Sequence, residues 1–148
     1  MAPRPTPTSC SSRLDAAENP RRGGLIAINL DDDDELIAAC RTNGSQEVII
    51  ASRRGKSIRF NESQVRPMGR TAGGVRGMKL GTGDSVVGME ILSPRATILT
   101  VTQNGYGKRT PLVDYRIQNR GGQGVITIRT TPRNGHVVDV AQVVDDDE

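Results

Sequence analysis

RGGQGVITI, residues 120–128, is the stretch whose reading decides the fold, because the chain contains two further versions of it. RGGLIAINL at 22–30 and AGGVRGMKL at 72–80 follow the same plan, a small Gly-rich corner and then a strand-like alternating run. Self-similarity at a fixed period marks a repeat protein. Outward from these corners, LDAAENPRRGG at 14–24 aligns without gaps on LVDYRIQNRGG at 112–122, at an offset of 98 residues. It reads as the end of a unit whose beginning is missing.

The units then run over 24–73 and 74–121, with an incomplete one over 122–148, and their periods are 50 and 48 residues. Alternation of apolar and polar residues, broken by Gly, Asp and Asn, predicts the same four strands in each full unit. They are 25–30, 36–39, 48–52 and 56–60 in the first, and 75–80, 86–92, 98–102 and 106–110 in the second. The third unit offers 122–128 and 136–144. Asn104-Gly105 predicts a type I′ hairpin turn, and Arg54-Gly55 stands in the same place 50 residues earlier. The acidic run 31–35 matches 81–85 and 131–135 as turns. Four short strands per unit predict an all-β fold, a partial β-propeller of about two complete four-stranded blades plus fragments at both ends, with a solenoid as the other arrangement. Such a fragment cannot close a ring and would present two open edges.

The 148 residues include one Phe, two Tyr and no Trp, so Val, Ile, Leu and Ala must supply the core. Between Arg53 and Arg133 there are 15 Lys or Arg against four acids, Glu62, Asp84, Glu90 and Asp114, and 17 of the chain's 20 basic residues are Arg. The planar guanidinium fork suits phosphate, so an anionic polymer is one reading of this stretch and a solvated basic surface the other. Residues 1–13, basic and rich in Ser, Thr and Pro, read as a disordered tail without the amphipathic pattern of a transit peptide. Cys10 and Cys40 form no CxxC or Cys/His ligand pattern, which fits a reducing compartment and no metal. No apolar run reaches the roughly 20 residues of a membrane span.

SQVRPMGRTAGGVRGMKLGTGD and LTVTQNGYGKRTPLVDYRIQNRGGQGVITI closely resemble the C-terminal region of the bacterial DNA gyrase A subunit; the topoisomerase IV A subunit has a similar, more degenerate domain. The resemblance covers residues 14 to the end. It implies a β-pinwheel, a ring of blades that exchange strands, with double-stranded DNA wrapped on a basic rim in support of negative supercoiling. It implies a cytoplasmic, nucleoid-associated bacterial setting, with the gyrase B subunit, and the rest of the gyrase A subunit, for partners, and no cofactor, membrane or small-molecule substrate. Breakage and rejoining of DNA, and ATP hydrolysis, belong in that family to other domains, so no enzyme activity is expected of this chain alone. The rival expectation is a protein-binding propeller segment that pairs through its open edges.

QNRGGQG at 118–124 resembles the gyrase A box, in which a basic residue also stands at the second and sixth positions. Gln118, Arg120, Gly121, Gly122 and Gly124 match, whereas Asn119 and Gln123 depart and remove two cations. Glycines there either admit a phosphate to the backbone N–H groups or serve a blade crossing that needs left-handed backbone. The remaining DNA-binding candidates are Arg53, Arg54, Lys56 and Arg59 at one hairpin and Lys108 and Arg109 at the next, with Arg66, Arg70, Arg76, Lys79 and Arg116 at the corners. Arg59 and Arg109, 50 residues apart, are expected to project alike. The Asp31–Asp34 run lacks the spacing of a calcium loop, GTGD at 81–84 lacks a Walker Lys, and Tyr106, Tyr115 and His136 have no catalytic surroundings.

Overall fold

The computed structural model describes residues 8–9, 22–69 and 72–144. Expectations placed on the rest of the leader, on Cys10, on Arg70 and on the acidic end lie outside the described residues. Nine strands are present among the described residues: β1 Thr8–Ser9, β2 Glu47–Ser52, β3 Lys56–Asn61, β4 Val75–Arg76, β5 Val86–Leu92, β6 Thr97–Thr102, β7 Gly107–Pro111, β8 Val125–Ile126 and β9 Val137–Val143. Single-turn 3₁₀ segments follow β3 and β7, at Glu62–Gln64 and Leu112–Asp114.

The hairpins β2–β3 and β6–β7 form on either side of the turn glycines Gly55 and Gly105. Their register pairs Ile50 with Ile58 in the first and Thr100 with Lys108 in the second. The turns are not of type I′. No non-glycine residue among those described takes a positive φ; in the two hairpin turns Gly55 and Gly105 alone do so, at 84° and 81°. Gly55 N–H donates to Ser52 O at 3.0 Å and Gly105 N–H to Thr102 O at 2.9 Å. These are three-residue loops closed by a left-handed glycine, a geometry that keeps Arg54 and Asn104 in ordinary backbone.

Each hairpin is completed by strands from later units. The four-stranded sheet runs β5-β2-β3-β8, so the first unit's hairpin is flanked by the second unit's second strand and the third unit's first. The three-stranded sheet runs β7-β6-β9 by the same rule, and β1 pairs with β4 as β3 pairs with β8. All these pairings are antiparallel. The rule also explains a difference from expectation: 25–30 and 36–39 are not strands. Their ladder partners would be hairpins of earlier units, and none is present among the described residues. A strand pattern without a ladder leaves its apolar residues outside, and Ile26, Leu30, Leu36 and Ile37 are exposed. This irregular segment and the β2–β5 face border a cavity of about 580 Å³. Its acidic lining, from Asp32, Asp33, Asp34 and Glu35, is wrong for a polyanion.

β2 is the central strand of the fold because it is buried on both faces. Val48 and Ile50 pack with Ile58, Phe60, Val65 and Met78 on one side. Ile49 and Ala51 pack on the other with Leu92, Ile98, Tyr115, Val137 and Val140, which joins the two sheets. The aliphatic core expected from composition is therefore divided into two layers, with Phe60 anchoring one and Tyr115 the other. At the edge of the joining layer Glu90 lies opposite Ile49. Burial, and secondarily the Asp139 carboxylate, push its carboxyl above the usual range.

Candidate nucleic-acid interface

The turns interlock from unit to unit, and this fixes where the basic residues can stand. Arg53 N–H donates to Ser85 O at 2.8 Å, Arg54 N–H to Asp84 Oδ1 at 2.9 Å, and Arg53 O accepts Val137 N–H at 2.9 Å. One unit on, Gln103 N–H donates to His136 O and Asn104 N–H to Asn134 O. The backbone of each hairpin tip is thus consumed by the following unit, while the Arg53 and Arg54 side chains remain exposed. Asp84, buried, also accepts Ser85 N–H, and Asp34 accepts Glu35 N–H in the equivalent turn. The acidic run is a set of turn carboxylates, and no group of three or more His, Cys, Asp or Glu among the described residues is placed to hold a metal.

Arg59 and Arg109 project alike, each donating from Nε to the side chain 12 residues before it, but their surroundings differ. Arg59 Nε donates to Glu47 Oε2 at 2.7 Å, and its Nη1 donates to Leu112 O at 2.7 Å and Tyr115 O at 3.0 Å. Its guanidinium therefore closes the 3₁₀ turn of the next unit. Arg109 is exposed and donates from Nε to Thr97 Oγ1, the residue 50 positions after Glu47. Lys56 is half-buried, and Lys108 is exposed with its Nζ donating to Thr127 O at 3.1 Å.

The box corner is a junction. Gly121 N–H donates to Gly77 O at 2.6 Å, Gly122 O accepts Lys79 N–H at 2.8 Å, and Gln118 N–H donates to Arg59 O at 2.8 Å. A Cβ on Gly124 would lie 2.4 Å from Ser57 O, so the close approach of β8 to β3 itself requires that glycine. Arg120 Nε donates to Gln64 O at 2.8 Å and Nη1 to Arg76 O at 3.0 Å, while Arg120 N–H donates to Gln64 Oε1 at 2.8 Å. Arg76, Lys79 and Arg120 thus meet at one corner, and Arg76 and Lys79 are exposed.

Two exposed cationic pairs repeat at the unit spacing. Arg66 and Arg116 each follow a 3₁₀ turn, and Lys79 and Arg129 each follow the opening strand of a unit. Arg129 was not among the sequence candidates, although its offset of 50 from Lys79 marks it. Arg133 was missed as well; its guanidinium stacks 5.3 Å from the Tyr106 ring centroid and its Nε donates to the Tyr106 hydroxyl.

A strand-exchanged repeat with these corners matches a known family. The model of the DNA gyrase C-terminal domain, a β-propeller, covers residues 13–43, 46–93 and 96–143. The chain belongs to that family. Among curated proteins it is 54% identical over 129 residues to the DNA gyrase A subunit of Salmonella typhimurium, covering 87% of this chain and 15% of that protein. It is 47% identical over 129 residues to the DNA gyrase A subunit of Staphylococcus aureus strain MRSA252, covering 86% of this chain and 15% of that one. It thus spans a small part of those gyrase proteins. Among solved structures, a C-terminal domain of DNA topoisomerase IV matches with a TM-score of 0.84 at 28% identity, over 90% of this chain and 42% of that one. A gyrase A C-terminal domain matches with a TM-score of 0.78 at 33% identity, over 84% of this chain and 43% of that one. The gyrase-family chain is a β-propeller segment, and no helix among its described residues is long and apolar enough to cross a membrane.

Proposed function

We propose that this chain binds and wraps duplex DNA as part of the C-terminal domain of a gyrase A subunit, supporting negative supercoiling without catalysis of its own. The observation that carries the reading is the recurrence of exposed cations at the unit spacing, Arg66 with Arg116 and Lys79 with Arg129. A periodic protein backbone offers phosphate contacts at regular intervals, which suits a bent, regular polyanion. Arg53, Arg54, Arg76, Lys108 and Arg109 extend the same cationic surface, and Arg133 on Tyr106 joins it at the second hairpin. In this reading strand breakage and ATP hydrolysis come from the rest of the gyrase complex, its B subunit included, in a bacterial cytoplasm.

The test is a titration of nonspecific duplex by anisotropy at several salt concentrations. Binding should weaken steeply with salt and depend little on sequence. Changing Arg66 and Arg116 together to Ala should flatten the log-log salt slope by about 1.8, that is about 0.9 for each phosphate ligand removed. No binding at low salt would overturn the reading.

A further inference from the structure

We infer that Arg120, the arginine of the box corner, is a positioning residue that clasps successive units together rather than a phosphate ligand. The inference deepens the DNA-wrapping reading and rests on it for its consequence, the path of the duplex. Gln64, in the first unit's 3₁₀ turn, grips the corner twice: its Oε1 accepts Arg120 N–H at 2.8 Å, and its Nε2 donates to Gln118 O at 3.5 Å. Arg120 returns the grip by donating to Gln64 O and Arg76 O, which belong to the first and second units. One side chain at the end of the second unit, where the chain enters the third, thereby ties that end to the second unit's own start and to the first unit. The Gly121–Gly77 and Lys79–Gly122 backbone bonds lie beside it and depend on the same alignment.

A guanidinium fork reaches two carbonyls held in fixed directions, and an ammonium does not. Arg120→Lys therefore removes the side-chain half of the clasp, to Gln64 O and Arg76 O, while keeping the charge, and Gln64→Ala removes the other half, to Arg120 N–H and Gln118 O, while keeping the arginine. Three readouts on the full chain separate the roles. Amide hydrogen exchange at Gly121 and Lys79 in the free protein should accelerate at least tenfold in both variants. Energy transfer between dyes at the two ends of a bound duplex should fall in both, because the angle between units is released. The salt slope should stay at the parental value in both.

Parental exchange rates in Arg120→Lys and Gln64→Ala would overturn the clasp. So would an Arg120→Ala slope lower by about 0.9 with parental behaviour in Arg120→Lys, since that is the signature of a phosphate ligand removed. If the parent chain does not bind duplex at all, the wrapping reading fails, and the exchange experiment still decides the clasp on its own.

Discussion

Gly55 and Gly105 occupy the same place in consecutive hairpins with nearly the same φ, yet their surroundings differ. A Cβ on Gly55 would lie 2.0 Å from Ile128 O, whereas a Cβ on Gly105 meets nothing within 4 Å. Gly105→Ala should cost only the left-handed backbone penalty, about 1–2 kcal/mol. Gly55→Ala should cost distinctly more, since it also expels Ile128 from its seat; equal urea midpoints for the two variants would contradict this. Arg59 and Arg109 give the parallel test for side chains. Arg59→Ala strands Glu47 and two carbonyls and should lower stability by about 1.5–3 kcal/mol, while Arg109→Ala should lower it by less than about 1 kcal/mol. Denaturant titration of both checks the contrast. The positions of all four residues were legible from the 50-residue offset. Their roles were not, because, besides Glu47, the groups that claim Arg59 are main-chain oxygens 53 and 56 residues away, and a carbonyl carries no side-chain signature.

At the scale of elements, the two hairpins were legible because both strands and the turn glycine lie within one short segment. The flanking strands were not, since alternation identifies a strand without naming its partner, and each partner here comes from another unit. The same gap made 25–30 and 36–39 look like strands. The packing of β5 against β9 carries a prediction of its own. The folded state holds the Glu90 carboxyl above its unfolded value, through burial and then Asp139, so protonation favours folding. Stability from this site is fully present below the unfolded carboxylate pKa and is lost as pH rises through the higher folded value. Glu90→Gln should therefore raise the urea midpoint at pH 7 and leave it unchanged near pH 4. An equal effect at both pH values would show that Asp139 and burial do not act on Glu90 as described.

For the whole molecule, the division of β2 between two core layers means that neither sheet has a core independent of the other. Unfolding should accordingly be a single event. Tyrosine fluorescence of a Tyr106→Phe variant, which leaves buried Tyr115 in the joining layer as the tyrosine reporter, should change at the same urea concentration as far-ultraviolet circular dichroism; separated transitions would show that the sheets melt as independent units. Phe60→Ala, in the other layer, should shift both signals together, with a loss of about 3–5 kcal/mol. Repetition and fold class were legible at this scale because the glycine corners recur. Strand exchange has a consequence for how the chain is made. Ser57 on β3 and Thr127 beyond β8 hydrogen-bond across 70 residues of sequence. At synthesis rates of about 5–20 residues per second, the β3 edge leaves the ribosome roughly 4–14 s before the strand that covers it. During that interval the chain is a sheet with an open side, and the charge of Lys56 on that edge strand opposes pairing with a neighbouring nascent chain.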